Sequence, residues 1–119
     1  MEERAVTRNR FEGEQTLMRI HIGESDRWEG KPLNEAIVAL LRGENFSGAT
    51  VLRGIGGFGG SSVYHTGKIL RLSQDLPVII EVVESAERIE QILPRLDAMI
   101  EGGLITLEKV RVILYRSSR

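Results

Sequence analysis

Between Leu17 and Ile22 the chain reads Leu-Met-Arg-Ile-His-Ile, with apolar and polar positions alternating as in a half-buried strand. Gly23 to Lys31 is polar throughout and predicts a loop. Pro32 follows where the first turn of a helix accepts proline. Leu33, Ala36, Ile37, Leu40 and Leu41 recur at helical spacing and predict one apolar face through about Arg42, with Gly43 and Gly48 at the exit. Ala49 to Arg53, rich in β-branched residues, predicts a second strand. Beyond a glycine-rich segment, Val63 to Leu72 fits an extended arm or a hairpin equally well.

Leu76 to Val83 is almost wholly apolar, as in a strand covered on both faces. Ser85 is placed to cap a second helix, although Arg88 at the third helical position leaves the capping box incomplete. Its buried stripe would be Ile89, Ile92, Leu93, Leu96 and Ile100. Pro94 inside that stripe predicts a kink or a split, and Gly102-Gly103 end the helix. Leu104 to Tyr115 predicts a final extended region. The order β-α-β-β-α-β predicts an α+β fold of the ferredoxin-like kind, a four-stranded antiparallel sheet with two helices on one face. Residues 1–16 are expected to form a partly ordered arm and residues 17–116 a single domain. Because Val78 to Val83 offers apolar side chains to both sides, the helix-free face is expected to be buried against other subunits.

Composition narrows the function more than the fold. At 119 residues the chain is one domain by size, and a net charge of −1 supplies no field for nucleic acid or an anionic membrane. Cysteine is absent, which removes disulfides, thiol catalysis and thiolate metal sites. No apolar run approaches the ~18 residues that span a bilayer. Met1 to Arg10 is too charged for a secretion signal, and its basic residues alternate with acids, unlike a transit peptide. A cytoplasmic protein without membrane insertion is the expectation.

Gly48 to Gly60 holds six of the thirteen glycines. Segments without side chains let backbone N–H groups approach a bound anion, so this is a candidate ligand loop; a flexible hairpin tip is the alternative. It lacks the Gly-Lys-Ser/Thr of nucleotide hydrolases and a strict dinucleotide fingerprint, and strands flank it. Glu24, Ser25, Asp26, Arg27 and Trp28 place acids, a hydroxyl, a base and the sole tryptophan in one short span. Trp28 would stack on a base or cap the edge of the core. Two carboxylates are too few for a dedicated cation site, although a magnesium ion shared with phosphates stays open. His21 alternates with Ile20 and Ile22, so it faces away from the apolar side; whether it meets His65, the other histidine, is open. No nucleophile elbow, triad or zinc signature occurs, and no catalytic residue is assigned.

The strings Arg19-Ile-His-Ile-Gly-Glu-Ser-Asp-Arg-Trp28, Gly30-Lys-Pro-Leu33 and Gly48-Ala-Thr-Val-Leu-Arg-Gly-Ile-Gly-Gly-Phe-Gly59 resemble those of the family called domain of unknown function 190. Tyr64-His-Thr66, Ile69-Leu-Arg-Leu-Ser73, Asp75-Leu-Pro77 and Glu108-Lys-Val110 continue the resemblance, which spans residues 12 to 116. More loosely, Gly48-Ala-Thr-Val51, Gly57-Phe-Gly59, Leu76-Pro77 and Gly103 through Lys109 resemble the PII signalling proteins. Those are trimers of ferredoxin-like subunits that bind adenine nucleotides between subunits and report them through a long loop.

The resemblance implies a non-enzymatic regulator in which Ala49, Thr50, Gly56, Gly57 and Phe58 lie along a nucleoside. Lys109 would meet phosphate, and residues 56–72 would be the responsive loop. Thr106 and Glu108 stand where PII proteins have phosphate-loop glycines, and Leu104 where they have a lysine. The modified tyrosine of some PII proteins falls nearest Gln74, and the chain ends at Arg119, before their last strand. AMP or ADP is therefore expected rather than a triphosphate, with Arg53 or Arg116 substituting for lost charge. Glu24, Ser25, Asp26, Trp28 and His65 would close over the ligand. The alternatives are an adaptor for a transporter or other partner protein, and a metal-handling trimer of the copper-tolerance type, for which two His and three Met are a poor ligand set.

Overall fold

Alternation builds the first strand, β1 (Gly13–Gly23), which starts four residues before the expected Leu17. The protein is represented by a computed structural model that describes residues 11–59 and 75–117. Most of the expected N-terminal arm, most of the loop 56–72, the Val63–Leu72 segment and His65 lie outside these residues. After β1 come two short strands, β2 (Arg27–Trp28) and β3 (Lys31–Pro32), then α1 (Leu33–Gly43) and β4 (Thr50–Arg53). The chain closes with β5 (Pro77–Glu84), α2 (Ala86–Met99) and β6 (Leu104–Val112). The principal elements thus follow the β-α-β-β-α-β order. The polar Gly23–Lys31 segment is a correction in detail, because β2 and β3 pair there as a small antiparallel hairpin.

The main sheet is antiparallel with strand order β4-β5-β1-β6. Register sets its two faces. Ile20 lies opposite Ile80 on one side and Ile105 on the other, and Met18 opposite Val82 and Leu107. Met18, Ile20, Ile22, Val78, Ile80 and Val82 form the buried face, packed with Leu33, Ile37 and Leu41 of α1 and Ile89, Ile92 and Leu96 of α2. Each such side chain stabilises the fold by about 1.5–3 kcal/mol relative to exposure. Trp28 packs partly buried at the edge of this cluster, so its structural role is realised.

The helix ends follow local chemistry. No side chain caps α1; the Leu33 N–H donates instead to the Asp26 carbonyl oxygen at 2.8 Å. At its other end Asn45 takes a left-handed φ of 64°, a conformation asparagine tolerates, and the Phe46 N–H bonds the Leu41 carbonyl oxygen. Ser85 caps α2 as expected, its Oγ accepting from the Arg88 N–H at 3.3 Å. Pro94 neither splits nor ends α2, which runs unbroken from Ala86 to Met99. Ile89 and Ile92 before it, and Leu96 and Met99 after it, are all buried, so both halves are held down while Pro94 faces solvent. That shared burial outweighs the ~3 kcal/mol penalty of an interior proline.

The other sheet face carries no helix. Leu17, Ile79 and Val83 lie half-buried there, with Leu52 and Leu104 exposed. Between them Arg19 joins Glu81 at 3.0 Å and Glu108 at 2.8 Å. The hydrogen bond to Glu81, then that to Glu108, pushes the arginine pKa still higher, so the guanidinium stays charged across the accessible pH range.

Candidate functional site

One end of the sheet is made of segments that must approach one another closely. Gly54, leaving β4, donates its N–H to the Pro77 carbonyl oxygen at 2.7 Å, and a Cβ on Gly54 would lie 2.7 Å from Pro77 Cγ. Gly103, entering β6, sits where a Cβ would lie 2.7 Å from the His21 carbonyl oxygen. Gly23 leaves room for the Asp75 carboxylate, which a Cβ would strike. Gly57 takes a φ of 148°, which disfavours any side chain. Small residues therefore bring three strand ends and the glycine segment around a common space.

That space is a cleft of about 700 Å³. Gly57, Phe58 and Gly59 form one wall, His21 to Gly23 and Pro77 the floor, and Glu101 to Leu104 the far side, with Asp26, Arg27 and Asp75 at the rim. The segment after β1 is pinned by its own polar groups. Asp26 Oδ2 accepts from the Gly23 N–H at 2.9 Å, and Asp75 Oδ1 accepts from the Ser25 N–H and Oγ–H at 3.2 and 2.9 Å. The Glu24 N–H donates to the Leu76 carbonyl oxygen at 2.7 Å. These bonds use one oxygen of each aspartate; Asp26 Oδ1 and Asp75 Oδ2 have no hydrogen bond among the described residues. The cleft thus presents carboxylate acceptors at its rim.

Residues 15–112 match the family described as "Uncharacterized ACR", DUF190. The chain belongs to the DUF190 family. A UPF0166 protein of Aquifex aeolicus is 35% identical over 97 residues, 82% of this chain and 91% of that protein. A UPF0166 protein of Methanocaldococcus jannaschii is 40% identical over 97 residues, 81% and 89% of the two chains. Among solved structures, CPII bound to ADP and bicarbonate, from Thiomonas intermedia K12, superposes with a TM-score of 0.56 at 18% identity over 83% of this chain and 88% of that one. The DUF190 chain thus has a PII-like fold.

Within one DUF190 chain the predicted site residues do not all converge. Gly57 and Phe58 line the cleft, and Gly56 immediately precedes that wall. Phe58 is 76% exposed on the open cleft. Arg53 is paired with Glu24 at 2.7 Å. Thr50 lies opposite Glu81 on the helix-free side of β4, with Ala49 just before it. Lys109 lies opposite Thr16, about 17 Å along β6 from Leu104, and pairs with Glu14 at 3.5 Å. Arg116 lies further on, next to Tyr115, whose ring packs on Phe11 at 4.8 Å.

Of the residues expected to close over a ligand, Asp26 is held at the rim, Ser25 bonds the rim residue Asp75 from behind the lining, and Trp28 is part of the core edge. No group of three or more His, Asp or Glu among the described residues could hold a metal ion, and no described helix is long and apolar enough to cross a membrane. Sequence reading missed the cleft roles of Asp75, Glu101 and Gly103. Their signals were present as an acid before the Leu-Pro strand start and a glycine doublet after the helix, both within the family strings but given no place in the site.

Proposed function

We propose that this protein is a PII-like regulator that binds an adenine nucleotide, AMP or ADP, against the glycine segment and reports it through residues 56–72. The observation that carries the reading is the cleft at the sheet end, with Gly57, Phe58 and Gly59 along one wall and little side-chain bulk there to exclude a ligand. Support comes from the fold, shared with a protein whose structure holds ADP and bicarbonate. Nothing in the arrangement requires a catalytic group, and the role assigned is sensing.

The reading includes a homotrimer with the nucleotide between subunits. The helix-free face, apolar at Leu17, Ile79 and Val83, suits burial by further copies. In such an assembly Lys109 and Arg116, remote from the cleft in their own chain, would reach the ligand only from a neighbouring copy. Magnesium, if it takes part, would arrive with the phosphates. Isothermal titration of the assembled protein with AMP, ADP, ATP and cyclic dinucleotides tests this reading. Saturable binding of AMP or ADP, with altered hydrogen exchange in residues 56–72, is expected. Absence of saturable heat with every nucleotide would overturn it, and retention of a protein partner by the nucleotide-free protein would favour the adaptor reading.

A further inference from the structure

Residues 54–76 separate β4 from β5, and the two ends of that interval meet at Pro77. The Gly54 N–H donates to the Pro77 carbonyl oxygen at 2.7 Å, and a Cβ on Gly54 or on Gly57 would meet the Pro77 ring. Proline has no N–H to return, so the backbone supplies one hydrogen bond at this position rather than an exchanged pair. Further ties come from the residues that follow β1. Glu24 Oε2 pairs with Arg53 Nη2 at 2.7 Å, joining the end of β1 to the end of β4 across the intervening start of β5. The Glu24 N–H bonds the Leu76 carbonyl oxygen, and Ser25 holds Asp75 through both its N–H and its hydroxyl. Asp26 fixes the turn that carries them. Its N–H donates to the Gly23 carbonyl oxygen at 3.1 Å, its Oδ2 accepts from the Gly23 N–H, and its carbonyl oxygen accepts from Leu33 at the start of α1. Gly23 belongs to the same arrangement, since the three atoms nearest a Cβ there are all of the Asp75 carboxyl group.

We propose that the turn Glu24-Ser25-Asp26 is a clasp joining the entry and the exit of the 54–76 interval, so that loosening either end loosens the other. The turn is anchored to β1 and to α1, and from that base it holds Arg53 on one side and Asp75 and Leu76 on the other. Each tie is a partly exposed interaction that shifts a local opening equilibrium only a few-fold. Carried on one turn they are coupled, because an end that is released no longer fixes the turn on which the other end depends. Asp26 and Asp75 also line the cleft, so whatever fills the cleft meets the clasp at its rim. The clasp goes beyond the nucleotide reading and is independent of it.

The test is amide hydrogen exchange on the assembled protein without ligand. Ser25→Ala removes the hydroxyl bond to Asp75 at the exit, and Arg53→Gln removes the ion pair to Glu24 at the entry. Ser25→Ala is expected to quicken exchange of the Gly54 N–H, and Arg53→Gln that of the Glu24 and Ser25 N–H groups, each roughly two- to fivefold. Gly23→Ala displaces the Asp75 carboxylate while leaving Ser25 and Arg53 in place. It should reproduce the Ser25→Ala effect at Gly54 and add nothing in an Asp75→Ala background. The N–H groups of Ile80 and Ile92, both in the core, should keep their wild-type rates. An unchanged rate at the far end in either Ser25→Ala or Arg53→Gln would overturn the clasp. So would equal acceleration at Ile80 and Ile92, which would mean global loosening, or a further effect of Gly23→Ala once Asp75 is gone. With no nucleotide in the experiment, failure of the clasp leaves the nucleotide reading standing, and failure of nucleotide binding leaves the clasp.

Discussion

Gly103 shows how a single missing side chain shapes the site. A Cβ there would lie 2.7 Å from the His21 carbonyl oxygen, 3.1 Å from Ile100 Cγ2 and 3.3 Å from Ile22 Cγ2. The first contact is with backbone inside a paired strand, which has little freedom to yield. Gly103→Ala should therefore destabilise the fold by about 1–3 kcal/mol, read from the urea midpoint at constant slope. Phe58 is the opposite case. At 76% exposed it contributes little to folding, so Phe58→Ala should change stability by less than about 0.5 kcal/mol. If it stacks on the ligand, the same substitution should weaken AMP binding by about three- to tenfold. Parallel denaturation and calorimetry on one variant separate the two effects.

Among the elements, α2 departs most from its expected form. Pro94 has no N–H to donate and its ring crowds the preceding turn, yet the helix continues to Met99 because buried residues on either side hold it to the sheet. Some of the proline cost is offset by the stiffer unfolded chain. Pro94→Ala is thus expected to stabilise by about 1–2 kcal/mol, with the urea midpoint raised and the slope unchanged. An unchanged or lowered midpoint would mean that the helix is already adapted to the proline. The link between elements is similarly tertiary. Arg88 stacks over Phe46 at 4.9 Å and donates to the Glu44 carbonyl oxygen, while Arg95 pairs with Glu44 at 2.9 Å, tying the exit of α1 to α2.

At the scale of the whole molecule, the face without helices is the main unfinished business. Leu17, Ile79 and Val83 are half-buried there, and Arg19 spans three strands between Glu81 and Glu108. If copies of the chain cover this face, Ile79→Glu should disperse the assembly, because it would bury an unpaired carboxylate in the contact. Light scattering coupled to size exclusion would show a fall in mass, with far-UV circular dichroism unchanged. A mass equal to wild type would move the contact elsewhere. The assembly also decides whether Lys109 and Arg116 ever face the glycine cleft.

Much of this was legible in the residues. Alternation over Leu17–Ile22, the doubly apolar run at Val78–Val83 and the helical spacing of Leu33–Leu41 prescribe strand, central strand and helix, because burial of one face is a local demand on pattern. The strings around Trp28 and Gly57 were enough to place the chain in its family. Strand order and register, the continuity of α2 through Pro94 and the hairpin inside Gly23–Lys31 were settled only by packing between segments distant in sequence. The same is true of the site. A glycine run by itself was equally a hairpin tip or a ligand loop, and local pattern contains nothing about which walls will face it. Three-dimensional contact brought Asp75 onto Gly23 and Gly103 onto His21, and paired Arg53 with Glu24. Those contacts turned a glycine-rich string into an acidic-rimmed cleft.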